Sequence, residues 1–120
     1  MFENLNFTID QSIKTRKKIG LIVLASDYTI DHEFRKLFPL SNLDYFHARI
    51  ENSPTVTPKT LSDMKTKISS TLKLILPGDT LDVVGYACTS ASVVLGEEEI
   101  FKSIRSVHPH TKCTTPITAA

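Results

Sequence analysis

The sequence of 120 residues is poor in cysteine and glycine and has no excess of one charge. Its two cysteines are too few for a disulfide framework, so we expect two free thiols. Its four glycines form no glycine-rich phosphate loop after the first predicted strand. The 14 basic and 13 acidic side chains nearly cancel, which argues against a nucleic acid or an anionic membrane surface as the partner.

Long hydrophobic runs are also missing. No apolar stretch approaches the length of a membrane span or of the core of a signal peptide, and the first residues carry Glu3 rather than a basic group. We therefore expect a cytoplasmic protein that does not enter a membrane.

Strand-like and helix-like segments alternate along the chain. Residues 19–24, 43–50, 81–86 and 112–115 have strand patterns, and the helical period covers residues 30–38, 57–76 and 93–107. Such alternation predicts parallel strands joined by right-handed crossovers. The expected fold is α/β, a flavodoxin-like open parallel sheet of about four strands with flanking helices. Residues 1–17 are predicted to be an N-terminal extension, and residues 18–120 one domain that is cut off before its last helix, which would begin at Pro116.

Three local signals set the expected ends of helices. Asp27 is a candidate cap for the first helix, and Pro39 is expected to end it. Thr57 and Pro58 form a strong helix start, from which the second helix is predicted to run unbroken to residue 76.

Cys88 follows the third predicted strand directly, with Thr89 and Ser90 after it. In sheets of this type, ligands bind beyond the carboxyl ends of the strands. If Thr89 or Ser90 caps the next helix, the positive end of that helix favours the thiolate form of the cysteine. The alternative, a small buried residue that closes a tight turn, is equally consistent with the pattern.

Other thiol sites do not fit the spacing. Val94 stands where a phosphatase loop needs arginine, and Ala91 where a thioredoxin-like pair needs a second cysteine. The four histidines have no metal-like grouping with cysteines or acids, so no metal is expected. Arg49 ends the second strand and is a candidate for binding a carboxylate, although a solvated surface position explains it as well.

Several segments together resemble the aspartate/glutamate racemase superfamily, in the branch of maleate cis-trans isomerases, arylmalonate decarboxylases and ectoine-utilisation proteins. The similar segments are residues 19–34 (IGLIVLASDYTIDHEF), 48–50 (ARI), 57–61 (TPKTL), 81–96 (LDVVGYACTSASVVLG) and 113–120 (CTTPITAA). The stretch around Cys88 is the most specific. The set looks most similar to the ectoine-utilisation proteins.

The resemblance implies a substrate site between two similar domains, with one cysteine from each and no cofactor. By position, Cys88 matches the first catalytic cysteine, and Thr89 and Ser90 match the hydroxyl pair that holds a substrate carboxylate. Asp27 stands where maleate isomerases carry a substrate-contacting asparagine. Cys113 lies inside the fourth strand rather than after it, so we expect it in the core.

The expected function is that of the amino-terminal half of a cofactor-independent racemase or isomerase, and the similarity to the ectoine-utilisation proteins implies a role in ectoine degradation. It would act on a small carboxylate by thiolate chemistry, and its partner would be a second homologous domain or a second copy of the chain. Two alternatives stay open: a non-catalytic module that binds a small carboxylate, and a decarboxylase of the arylmalonate type. The decarboxylases resemble the sequence less well, because they carry glycine at the position of Cys88.

Overall fold

A computed structural model of the chain describes residues 4–38 and 42–120. Four strands form one parallel sheet in the order β2-β1-β3-β4, which confirms the predicted fold class. The central strand β1 carries the apolar run of the first predicted strand and is covered on both faces, as such a run requires. The strands are β1 (Lys17–Leu24), β2 (Leu43–Ile50), β3 (Val83–Tyr86) and β4 (Lys112–Thr114).

Seven helical segments connect or flank the strands in the described ranges. The first, α1, precedes β1 within the predicted extension, and α2 ends at Leu37, while Pro39 lies outside the described residues. None of these helices is long and apolar enough to cross a membrane. The segments are α1 (Ser12–Thr15), α2 (Ile30–Leu37), α3 (Pro58–Asp63), α4 (Lys65–Leu72), α5 (Thr89–Leu95), α6 (Glu97–Arg105) and α7 (Pro116–Ala119).

Two helices that were predicted as single elements are each divided in two. The second is interrupted at Met64, whose amide donates to the carbonyl of Leu61, three residues back, so the chain tightens there. The third is interrupted at Gly96, which adopts φ 80° and ψ 146°, outside the helical region. The apolar period passes through both breaks and therefore did not reveal them.

The core consists of two apolar clusters, one on each face of the sheet. The larger cluster joins β1, β2 and β3 to helices α3 to α6, and includes Ile22, Ile50 and Ile68, all fully buried. The smaller one packs α2 over β1 and β2, where it covers Tyr45. The alternating polar and apolar residues of β2 suggest a strand with one exposed face, but Tyr45 on that face is only 6% exposed because α2 covers it.

Candidate functional site

Cys88 lies at the junction between β3 and α5, at the carboxyl edge of the sheet. It occupies the N-cap position of α5 with extended backbone, so Thr89 is the first residue of the helix. The prediction that Thr89 or Ser90 caps this helix was therefore wrong by one or two residues. The carbonyl oxygen of Cys88 accepts hydrogen bonds from both the amide and the hydroxyl of Ser92, at 3.0 and 2.6 Å. These two bonds fix the backbone of Cys88 on the first turn of α5.

A cavity of about 100 Å³ opens beside Cys88. Cys88 is 8% exposed, so its side chain is largely enclosed but borders this space. The apolar surface of the cavity comes mainly from the end of β1, from α3 and from Met64, and its polar groups come from the loop after β2, from α3 and from Ser90 of α5. Its lining consists of Leu24, Asn52, Ser53, Thr55, Val56, Thr60, Leu61, Met64, Cys88 and Ser90.

The loop after β2 supplies polar cavity residues that the sequence analysis missed. Asn52 accepts a hydrogen bond from the amide of Ser26 at 3.2 Å and donates one to the Ser26 hydroxyl at 2.9 Å. Asn52 therefore ties the loop after β2 to the loop after β1. The available signal was the polar run that directly follows β2, since its carboxyl end lies at the same edge of the sheet as that of β3.

Helix α3 begins beside the cavity with the predicted Thr57-Pro58 start. Thr57 and Thr60 form a capping box, in which each side chain accepts from the backbone amide of the other. The hydroxyl of Thr60 also donates to the carbonyl of Thr55 at 2.8 Å, which draws the preceding loop onto the helix. The capping box thereby fixes the part of the cavity wall that α3 forms.

The carboxylate of Asp27 binds the start of α2, as the sequence allowed, although Thr29 occupies the N-cap position. Its Oδ1 atom accepts hydrogen bonds from the amides of Thr29 and Ile30, both at 2.9 Å. These bonds hold the pKa of the Asp27 carboxyl below its usual value, with a smaller contribution from the charge of Arg49. The carboxylate therefore already has a structural role at the end of β1.

Arg49 holds the loop between β1 and α2. Its Nη1 atom donates to the carbonyls of Leu24 at 3.1 Å and Ala25 at 3.3 Å, and also to that of Asp27. Of the five predicted site residues, the structure brings Cys88 and Ser90 to one cavity. Asp27 and Arg49 together build the neighbouring loop, and Thr89 is exposed at the start of α5. Their contact with a substrate stays a prediction.

The second cysteine is apart from this site. Cys113 lies in β4, half-buried against the larger core cluster, and burial raises the pKa of its thiol. Both thiols are free, as predicted. In the described part of the chain, His, Cys, Asp and Glu side chains form no group of three or more that could hold a metal ion.

Solved maleate isomerases share this fold. The chain matches the Nocardia farcinica maleate cis-trans isomerase bound to TRIS with a TM-score of 0.62 at 22% identity, and a cysteine-to-serine variant of it with a covalently bound succinylcysteine intermediate with a TM-score of 0.64. It matches the maleate isomerase Iso of Pseudomonas putida, in a cysteine-to-alanine variant with maleate, with a TM-score of 0.63 at 24% identity.

These matches cover 82% of this chain but only 44% of each isomerase. The chain thus spans less than half the length of the isomerases and has the α/β fold of one half of them. No family model and no curated protein matches the sequence.

Proposed function

We propose that this chain forms the amino-terminal half of a cofactor-independent racemase or isomerase that acts on a small carboxylate through the thiolate of Cys88. The observation that carries the proposal is the position of Cys88. Its side chain borders a small cavity at the carboxyl edge of a parallel sheet, where ligands of such folds bind. The maleate isomerases, which have this fold, give the proposal its class of substrate.

Two reactions suit a thiolate in this place. With an unsaturated dicarboxylate, the sulfur donates an electron pair to one alkene carbon and forms a C–S bond, while the alkene pair moves to the neighbouring carbon, next to a carboxylate. Rotation about the resulting single bond and expulsion of the thiolate then give the other isomer. With a saturated substrate, the thiolate instead removes the proton next to the carboxylate, and an acid on the opposite side returns one.

The neighbouring groups have distinct roles in this proposal. Ser90 lines the cavity and donates its hydroxyl to the substrate carboxylate, together with Thr89 on the same turn. Asn52, which also lines the cavity, offers an amide whose orientation is fixed by Ser26. Asp27 and Arg49 hold the loop after β1, which is tied to Asn52 beside the cavity, and they contact a substrate that extends from the cavity toward this loop.

A complete site needs a second acid or thiol facing Cys88. The sequence resemblance favours a second homologous domain as the source of this group. The other source is a second copy of this chain. Residues 18–120 are then the first racemase-type domain, and residues 1–17 its extension. Ectoine degradation is the narrowest form of the proposal and rests on the sequence resemblance alone.

Incubation of the full chain with maleate, followed by intact-mass and peptide mass spectrometry, tests the thiolate. We expect an adduct with the mass of one maleic acid on Cys88. It should be lost in Cys88→Ser and kept in Cys113→Ser, the matched control for the second thiol. Calorimetry with maleate runs in parallel on the same three proteins.

The two measurements separate the competing functions. Adduct formation confined to Cys88 supports the isomerase. Saturable binding without an adduct, together with no turnover in a longer parent protein, would make the chain a carboxylate-binding module instead. If maleate neither binds nor forms an adduct, the proposal of a small-carboxylate site is wrong.

A further inference from the structure

The residues before α1 form an arm without regular secondary structure that exposes large apolar side chains. Leu5, Phe7 and Ile9 alternate with polar residues, and they are 78%, 79% and 59% exposed. The arm therefore presents three large apolar side chains without a covering partner among the described residues.

The root of the arm is fastened on the β2 side of the sheet. Arg16 forms an ion pair with Asp44 at 2.8 Å and donates to the carbonyl of Leu43 at 3.0 Å. The amide of Lys17 adds a bond to the carbonyl of Asn42 at 3.4 Å. Because β2 is an edge strand, these contacts fix the root of the arm at that edge of the sheet.

A groove of about 1080 Å³ lies at the amino ends of β1, β3 and β4. Its floor contains half-buried apolar side chains that no helix of the described chain covers completely, and its rim carries lysines. The floor includes Ile19, Leu76, Val83 and Val107. The rim includes Lys17, Lys73 and Lys112.

The charges of arm and groove are complementary. The first 13 residues contain two acidic side chains, Glu3 and Asp10, and no lysine or arginine. At the rim, Lys73 and Lys112 form no ion pair within the described ranges, whereas Asp82 is paired with Lys17. Asp79, the second acidic residue of the rim, forms an ion pair with Lys18 of β1, with 3.7 Å between its Oδ2 atom and the Nζ atom of the lysine. An acidic segment with exposed apolar side chains therefore matches this groove.

We propose that the arm of one copy of the chain docks in the groove of a second copy, and that the exchange is reciprocal. Two arms then bury six large apolar side chains between the copies. The groove lies at the amino edge of the sheet, whereas Cys88 lies at the carboxyl edge. This dimer consequently leaves the cavity beside Cys88 open, and it does not depend on the proposed isomerase function.

Sedimentation equilibrium of the full chain over a range of concentrations tests the exchange. We expect a monomer–dimer equilibrium whose dissociation constant rises by about tenfold or more in Phe7→Asp, because a charge then replaces an apolar anchor. Leu37→Asp is the matched control: Leu37 is 75% exposed, lies on α2 away from the groove, and receives the same charge. The control should dimerise like the unchanged protein.

Changes in the groove complete the test. Lys73→Glu with Lys112→Glu should also weaken the dimer, because the arm is acidic. An equal mixture of this groove variant with Phe7→Asp should recover part of the dimer, since one intact arm then faces one intact groove. A chain that is monomeric at all concentrations would overturn the proposal, whether or not the arm is protected from hydrogen exchange. A dimer insensitive to Phe7→Asp would overturn it too.

Discussion

The hydroxyl of Ser92 donates a hydrogen bond of 2.6 Å to the carbonyl oxygen of Cys88. Ser92 is 2% exposed and lies one helical turn after Cys88, so this bond is enclosed and spans the first turn of α5. The position of the candidate nucleophile thus depends on a second side chain that has no contact with the cavity. Removal of this hydrogen bond should therefore make the thiol of Cys88 more accessible to reagents.

Ser92→Ala should lower the free energy of unfolding by about 0.5–1.5 kcal/mol, as the loss of one such hydrogen bond does. It should also raise the rate at which iodoacetamide alkylates Cys88, by up to about fivefold, because local opening of the first turn of α5 becomes more frequent. Ser103→Ala is the matched control, since Ser103 makes the same kind of bond to Glu99 in α6, at 2.9 Å. An equal rise in alkylation in both variants would contradict the local role of Ser92.

Arg49 organises the loop after β1 through three backbone carbonyls. Arg49→Met keeps most of the aliphatic length but removes all three bonds, and should cost about 1 kcal/mol of unfolding free energy, because the exposed carbonyls can turn to water. Lys36→Met, an exposed position on α2, is the control. Urea unfolding measures the free energy of unfolding of both variants. If Arg49→Met loses no more of it than the control, the loop after β1 does not depend on Arg49 for its stability.

Asp27 links stability to pH. Its pKa is lower in the folded chain than the ordinary 3.8, so its stabilisation is fully present above that value and is lost as the pH falls through the lower, folded pKa. Asp27→Ala should cost about 1 kcal/mol at pH 7, typical of a lost helix cap, and less at pH 3. Glu33→Ala, on the first turn of α2, is the control. A cost for Asp27→Ala that is the same at both pH values would contradict a charged cap.

Gly96 separates α5 from α6 at φ 80° and ψ 146°, a conformation that side chains avoid. A methyl group at this position meets open space, so any cost of Gly96→Ala comes from the backbone alone. The cost should be about 1–3 kcal/mol in thermal or urea unfolding. Glu98→Ala, an exposed change two residues later, should be nearly neutral, and a neutral Gly96→Ala would mean that the two helices can join.

The fold was predictable because buried parallel strands leave long apolar runs, as in β1, and because Thr57 with Pro58 is a specific helix start. The breaks at Met64 and Gly96 were not, since both lie inside an apolar period that one long helix satisfies equally well. Burial of Tyr45 depends on the packing of α2 across β2, which no local pattern of β2 contains.

Of the cavity residues, the sequence singled out Cys88 and Ser90, because a cysteine just beyond the end of a buried strand has a defined place at the edge of the sheet. It did not identify Asn52, whose role depends on two loops that are 26 residues apart along the chain and meet only in the folded sheet. The N-cap was misplaced because Thr89 and Ser90 are better capping residues than Cys88, while the end of β3 determines where the helix begins.

The position of Cys88 at a small-carboxylate site is tested most directly by the alkylation of its thiol in the presence of succinate, a saturated dicarboxylate that cannot form an adduct with it. Peptide mass spectrometry follows Cys88 and Cys113 in the same sample, so the second thiol is the internal control. We predict that succinate slows alkylation of Cys88 in a saturable manner and leaves Cys113 unchanged. An unchanged rate at Cys88, or equal slowing of both thiols, would contradict a carboxylate site beside Cys88.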